Sequence, residues 1–594
     1  MVGKVLVTTA LEETWPKNGE PTLFLGEWCR IYTRSEQFGQ INGEVADYHW
    51  DDREKLYRDY LWLDELYESA LLCLTQKLNE IHGVNHSVRY WRILVGPWLG
   101  YFIHILFDRW FMLNTAVEKY KITECNIIKR DWDSFIPNDT FDFDYYFKRS
   151  DEWNEGLYSK ILNIMFSHRV NLSLIECSPF NDSLKANSEV DIKKKCTRQL
   201  VNFVNKISLG TERFFFQSTY LTPVVNLLLQ LRLKQWPKIY GAIDVRSKYT
   251  PLMSMRRWEL NDLKTEYHHP CAQLVSFLAS RYLPMAYLEG YNDLSERSCL
   301  GRPSNPHVIF TSNSYWVDDA FKAYAAIKVD SGSKLVVGQH GGHYGMSPFS
   351  FNEKHQIDIA DRWLSWGWDD RSRTNIFSIG NFREWNHFIS YDPLGYALMV
   401  EMSLPRYSYH MYAIPVARQW LDYFDEQKRF VSSLLSSLHG QLNIRLVPTD
   451  YGWCQFERWK DAFPKINLDQ GKVDIRDQVK KCRLYISTYN ATTYLESLAW
   501  NVPTIIFWKP EHWELKPEVI PYFDMLQSVG IFHKSPENAA RKMIEVWDDV
   551  DEWWKSKEVQ EARNTFCEQF SYIPKNLMDR LVSSMEFDRA ESNT

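Results

Sequence analysis

Two histidines, His340 and His343, stand in the turn VVGQHGGHYG, where an apolar run stops at Gly338. Such a turn suits a metal pair, a hinge, or a backbone that must come close to a phosphate. Zinc needs three or four ligands, and no acid or cysteine lies beside this pair, so the metal reading is the weakest. Gly338, Gly341 and Gly342 permit positive φ and close approach. Gln339, Gly341 and Gly342 are then expected to line a donor site. His340 is expected to contact a leaving phosphate or to move a proton near neutral pH. A ring that merely finishes the turn is the plainer alternative.

A second group lies in RLYISTYNATTYLESLAWNVPTIIFW, Arg483 to Trp508. Ser487 and Thr488 end a predicted strand, Asn490, Thr492 and Thr493 open a predicted helix, and Glu496 follows within a turn or so. Free N–H groups at a helix start favour an anion, and hydroxyls add donors without charge. Glu496 is placed to accept from a ribose diol; a capping Thr492 and a solvated Glu496 are the simpler reading. Asn501 falls where a left-handed cap is expected, which asparagine tolerates. Thr449 and Asp450 in VPTDYGW, and Arg406 and Ser408 in SLPRYSYHMY, sit on further post-strand loops suited to a diphosphate or a sugar carboxylate. Near the start, TTALEETWP offers Glu12 and Glu13. If partly desolvated, one of them would be a general base for an acceptor hydroxyl; acids complementing a helix start are the alternative.

These loops need strands to carry them. Apolar runs alternate with helical patterns: KVLVTTA and TLFLGEWC, a helix from about Asp51 to Ile81, RFFFQSTYL, HVIFTSNS, a helix ending at Gly332, KLVVGQHGG, WLSWGW and IFSIGNF. After YDPLG come ALMVEMSL, a helix near 416–435, NIRLVP, RLYIST, a helix near 492–500, and PTIIFW. Strand, crossover helix, strand predicts parallel doubly wound sheets. The expected class is α/β and GT-B-like, with two Rossmann-like domains facing a cleft. Residues 1–390 would form the N-terminal acceptor domain, with a large helical insertion at about 110–302. Residues 391–563 would form the donor domain, and 564–594 a helix returning to the first domain.

Composition narrows the function. The chain has 594 residues, enough for several domains, and its net charge of -7 disfavours a general polyanion binder, so no nucleic acid is expected. Ten cysteines without a C-x-x-C pair suit a reducing compartment. The apolar window Trp91–Leu113 is interrupted by Arg92, His104, Asp108 and Arg109, so a buried helix is expected. The N-terminus lacks the features of a signal peptide. A cytoplasmic protein is expected, with a peripheral contact at the inner face of the membrane as an allowed addition. No metal or cofactor is expected.

Together TTALEETWP, FLGEWC, YWRILVGPWL, VVGQHGGHYG, SLPRYSYHMY, VPTDYGW and STYNATTYLESLAWNVPTIIFW resemble a bacterial family of surface-glycan transferases. The resemblance implies a metal-independent GT-B-like glycosyltransferase of O-antigen, capsule or flagellar glycan assembly. Its partners would be a nucleotide-sugar donor and a glycan or lipid-linked glycan acceptor. More distantly, the histidine and Ser/Thr loops look like those of Kdo- and sialyl-type transferases, which use CMP-activated acidic sugars. Those enzymes often carry a His-Pro pair near the donor phosphate, whereas Pro448-Thr449-Asp450 here has no histidine. UDP- or GDP-hexose transfer, sugar-nucleotide epimerisation and polyol-phosphate transfer remain alternatives on the same fold, as does a non-catalytic glycan-binding protein.

Overall fold

Short runs rich in valine, isoleucine, leucine and phenylalanine form three separate sheets, each wholly parallel. They are seen in a computed structural model that describes residues 3–17, 19–176, 212–241, 247–264, 269–385, 387, 389–408 and 411–587. Sheet one holds β1 (Lys4–Val7), β2 (Thr22–Phe24), β3 (Gly43–Val45), β4 (Ile122–Ile128) and β5 (Asn171–Ile175), in the order β3-β2-β1-β4-β5. Sheet two holds β6 (Phe214–Phe216), β7 (Val308–Thr311), β8 (Lys334–Gly338), β9 (Arg362–Ser365) and β10 (Ile376–Ser378), in simple succession. Sheet three holds β11 (Tyr396–Val400), β12 (Leu442–Arg445), β13 (Asn467–Asp469), β14 (Cys482–Ser487), β15 (Thr504–Phe507) and β16 (Phe532–His533), in the order β13-β12-β11-β14-β15-β16.

Sheet three therefore has the strand order of a full Rossmann unit, with its switch point between β11 and β14. Sheet one follows the same order through its fifth strand, switching between β1 and β4. The Rossmann-like α/β architecture is thus present, and a third sheet is added to it. The helix-rich stretch between about 110 and 302 contains β4 and β5 of sheet one and β6 of sheet two, so it links two sheets as well as supplying helices. Inner strands such as β2, β7 and β15 are buried along their whole length, as parallel strands covered on both faces must be. The edge strands β3, β10 and β13 are short and partly exposed, which limits pairing with other chains.

The apolar window is a buried helix, Val88–Lys119, with Pro97 inside it. Among the described residues no helix is long and apolar enough to cross a membrane. Many tryptophans are core: Trp91, Trp98, Trp363, Trp366 and Trp420 are enclosed. After the helix Lys557–Phe570 the chain meets sheet two. The N–H of Tyr572 donates to the Trp366 carbonyl at 2.9 Å, and its own carbonyl accepts from Asn381 N–H. Gly367, at φ +148°, makes room for this passage, since a Cβ there would stand 2.7 Å from the Gln569 carbonyl.

Buried and partly buried arginines fasten the units. Arg406, on the loop after β11, donates twice to Asp151 at 3.0 Å, once to the Tyr451 carbonyl at 3.2 Å, and once to the Trp28 carbonyl. Arg109 donates to the Ser408 carbonyl at 2.8 Å, and Arg53 makes a fork with Glu514 at 2.7 and 2.8 Å. Replacing one partner of an enclosed pair leaves the other charge unpaired. Asp151→Ala is expected to lower stability by about 3–5 kcal/mol in urea unfolding. A loss below about 1 kcal/mol, the range of exposed pairs, would mean that the junction does not depend on this bridge.

Candidate active site

The carboxyl ends of sheet two gather around His340. Ser218 and Tyr220, past β6, both lie in the left-handed region, at φ +51° and +59°. The ring of Tyr220 stacks on that of His340, with centroids 5.9 Å apart and an interplanar angle of 16°. Non-glycine residues in that region are strained, and such strain gathers at functional sites. Tyr315, past β7, and Tyr344 add further ring contacts to His340 at 6.3 and 5.5 Å. His343 packs beside Tyr412 at 5.5 Å. His340 Nδ1 and His343 Nε2 are enclosed and have no hydrogen-bond partner among the described residues. Burial first, and then the Arg383 charge, bring the His340 ring down to about 4, and burial brings His343 to about 4. Both rings are therefore neutral at pH 7, which corrects the expectation of a histidine poised near neutrality in the resting protein.

Sheet three meets this turn through the helix Thr492–Ala499. The N–H of Gly342 donates to Thr492 Oγ1 at 2.8 Å. A Cβ on Gly341, at φ +152°, would collide with that hydroxyl. The crowding at this turn is against a protein group, the Thr492 hydroxyl, where a phosphate was expected. The cap position, Ala491, has no side-chain oxygen, so no side chain caps this helix start. This helix follows the end of β14, beside the switch point, and its first residue, Thr492, meets the turn that carries the two histidines.

Several of the other expected donor ligands are spent on the fold. Gln339 Oε1 accepts from Trp366 N–H at 3.0 Å and Trp368 Nε1 at 3.1 Å. Thr488 donates to the Val400 carbonyl at 2.8 Å, and Asn490 accepts from the Tyr494 hydroxyl at 2.9 Å. Ser487 and Thr493 bond to the carbonyl and the hydroxyl of Tyr489, at 3.3 and 3.2 Å. Asp450 caps its own turn, accepting from Trp453 N–H at 3.1 Å and Cys454 N–H at 2.7 Å, and Thr449 precedes it on that turn. Asp450, Cys454 and Glu457 bring three ligand atoms within 4.8 Å, the described cluster nearest to a cation site. Arg406 is filled by the contacts above and cannot serve as a free phosphate ligand. Ser408 is buried beside it and is held at its carbonyl by Arg109.

Glu496, expected to accept from a ribose diol, is buried beside Arg383. It is 3% exposed, and its Oε1 lies 3.0 Å from Arg383 Nη2 as an ion pair, without a hydrogen bond to that oxygen among the described residues. Burial drives its proton affinity up, with Arg383 opposing and neighbouring Glu384 adding to the rise. The acids expected as the base lie apart from this cluster. Glu12 pairs with Arg34 at 3.0 Å. Glu13 is exposed and lines a groove of about 270 Å³ with Trp15, Lys17, Glu20, Glu124 and Asn126, all of the first unit. The structure thus joins His340, Gly341, Gly342 and Thr492 and leaves Glu12 and Glu13 on sheet one.

Two residues escaped the sequence reading. Arg383, in the loop after β10, donates to the His340 carbonyl at 3.0 Å, lies over Tyr220 at 5.3 Å and bridges to Glu496. Glu401 follows β11 at the switch point and is 1% exposed. Its Oε2 accepts from Gln455 and Trp459 at 2.6 and 3.0 Å, and burial raises it to about 8. An acid inside the apolar run ALMVEMSL was the available signal.

A family model described as LIC12162 family transferase matches residues 4–585. The chain belongs to that family. No curated protein matches this transferase. Among solved structures it is similar to a proposed UDP-N-acetylglucosamine 2-epimerase from Listeria monocytogenes, at 12% identity over 63% of this chain and 96% of that one, TM-score 0.36. It is also similar to SsfS6, a Streptomyces sp. SF2575 glycosyltransferase, at 10% identity over 62% and 97%, TM-score 0.26. WaaG, a glycosyltransferase involved in lipopolysaccharide biosynthesis, gives 10% identity over 63% and 99%, TM-score 0.28. These likenesses are remote, and the fold assignment rests on the strand orders.

Gly332 also has positive φ, +102°, but open space around its Cβ position. Gly341→Ala should therefore lower the melting temperature more than Gly332→Ala; equal losses would show that the Thr492 contact is unimportant. Glu401 holds its proton to about 8 when folded, against 4.5 as its ordinary value. Stability tied to it is present below about 4.5 and is lost as pH rises toward about 8. Glu401→Gln should gain on the parent across that window in melting curves, and a constant gap would exclude an enclosed, protonated Glu401.

Proposed function

We propose that this transferase moves a glycosyl group from a nucleotide sugar to a hydroxyl of a glycan acceptor, where the His340 turn meets the Thr492 helix. One observation carries the reading: two imidazole nitrogens without a partner among the described residues lie beside a helix start that no side chain caps. Amides of that kind, with the helix dipole behind them, favour a phosphate. In the transfer, the acceptor oxygen bonds to the anomeric carbon while the carbon–oxygen bond to phosphate breaks. The phosphate keeps the electron pair, so negative charge grows on its oxygens. Donors set in advance around those oxygens act most strongly on this step. His340 would contribute a neutral N–H, and Arg383 the fixed positive charge behind the turn.

A CMP-activated acidic sugar of Kdo or nonulosonate type is the donor that the sequence resemblance favours, with a surface-glycan acceptor, free or lipid-linked. A lipid-linked acceptor would go with peripheral contact at the inner membrane face. A melting-temperature screen of CMP, UDP and GDP tests the reading. A nucleotide that binds the folded state at about 100 times its Kd adds about 2.7 kcal/mol of stability. One of the three should raise the melting temperature, and His340→Gln should weaken that response. A bound phosphate raises the proton affinity of His340, so the gap between parent and variant should widen as pH falls from about 7 to about 5. No response to any nucleotide, or a variant equal to the parent throughout, ends the proposal. Nucleotide release that requires an acceptor separates transfer from epimerisation and from binding without turnover.

A further inference from the structure

Sheet one has a switch point of its own, between β1 and β4, which the reaction above does not use. Two charged side chains at the carboxyl end of β4 keep enclosed polar atoms there. Arg130, two residues past the strand, has Nε and Nη1 buried with no hydrogen-bond partner among the described residues. Its guanidinium lies 5.3 Å from the centroid of the Phe135 ring. Glu155, on the helix Asp151–Ile161, is 1% exposed. Its Oε1 accepts the Ile128 N–H at the strand end at 3.0 Å and the Ser159 hydroxyl at 2.5 Å. Its Oε2 is buried and has no partner among the described residues. Burial raises the proton affinity of Glu155, Arg130 is near enough to lower it, and Glu13 raises it further.

A pair kept only for the fold would close directly, because enclosed charges are tolerated when each is satisfied by the other. Here arginine and carboxylate lie near enough to feel each other's charge without a hydrogen bond between them, and each keeps buried polar atoms without a partner among the described residues. A bridging group must accept from the guanidinium and donate to the carboxylate. An acidic group with a hydroxyl nearby on the same small molecule does both.

We propose that the β1–β4 switch point is a second ligand site, for a small polyhydroxylated anion of the sugar-acid or sugar-phosphate class. Arg130 takes the anionic group, and Glu155 Oε2 accepts from a hydroxyl. Glu155 lies one helical turn from Asp151, whose carboxylate clamps Arg406 of the third unit. The site therefore stands close behind the junction of the units, and it does not depend on the donor reading.

The test is calorimetric titration of the full chain with glucose 6-phosphate and, separately, glucuronate, with sodium chloride as the ionic control. The two probes distinguish a phosphate from a carboxylate. At least one should bind saturably. Arg130→Met should weaken that binding about tenfold, the scale of one lost charge-assisted hydrogen bond. Arg130→Lys, which keeps the charge and the stem, should retain part of it, and melting curves of both variants report the fold. His340→Gln should leave the binding unchanged. Absence of saturable binding by either probe overturns the proposal, and so does equal binding by parent and Arg130→Met. Binding abolished by His340→Gln would assign the probe to the other site and overturn it equally.

Discussion

The hydroxyl of Thr492, accepting the N–H of Gly342, ties the carboxyl ends of two sheets together across the candidate site. One such bond contributes on the order of 1 kcal/mol, so its importance lies in position. Only a residue without a Cβ lets the His340 turn reach that hydroxyl, because Gly341 faces it at a positive φ. Once the turn is there, His340 and His343 stand beside an uncapped helix start, and Arg383 braces the turn from behind through the His340 carbonyl. Buried and partly buried arginines elsewhere hold the units at this spacing. Arg53 meets Glu514 through two nitrogens on two oxygens, a fork that fixes orientation as well as distance, and Arg406 Nη2 spans both oxygens of Asp151.

Much of the fold was legible because parallel strands covered on both faces read as unbroken apolar runs. β8 and β15 fall inside the stretches that predicted them, and β11 and β14 begin one residue before theirs. The strands that escaped are those where this signal fails. β4 carries Glu124 and Asn126 within ITECNII, β3 is exposed, and β13 and β16 are three and two residues long. Losing β3, β4 and β5 hid the doubly wound order of sheet one. Local backbone chemistry was easier to read: Asn501 adopts the left-handed cap, at φ +59°.

The site divides along a similar line. Glycines and a helix start are backbone features, and both are legible in the sequence. Polar side chains are different, because residue type reveals capacity and not partner. Gln339, Thr488, Asn490, Asp450 and Arg406 all have the chemistry of ligands, yet their atoms are consumed inside the protein. Glu496 turns inward to Arg383 for the same reason. Arg383 itself was missed because nothing around NFREW marks it until the carbonyl of His340 is beside it.

The passage of residues 568–574 over Gly367 and beside Trp366 and Asn381 bears on how the polypeptide is made. Strands β6 to β10 leave the ribosome early, but the contacts that finish their outer side belong to residues translated after the whole of sheet three. Pairings so distant along the chain are slow to form, and an intermediate that awaits them exposes apolar surface. The middle unit therefore cannot be completed until residues 568–574 have been made.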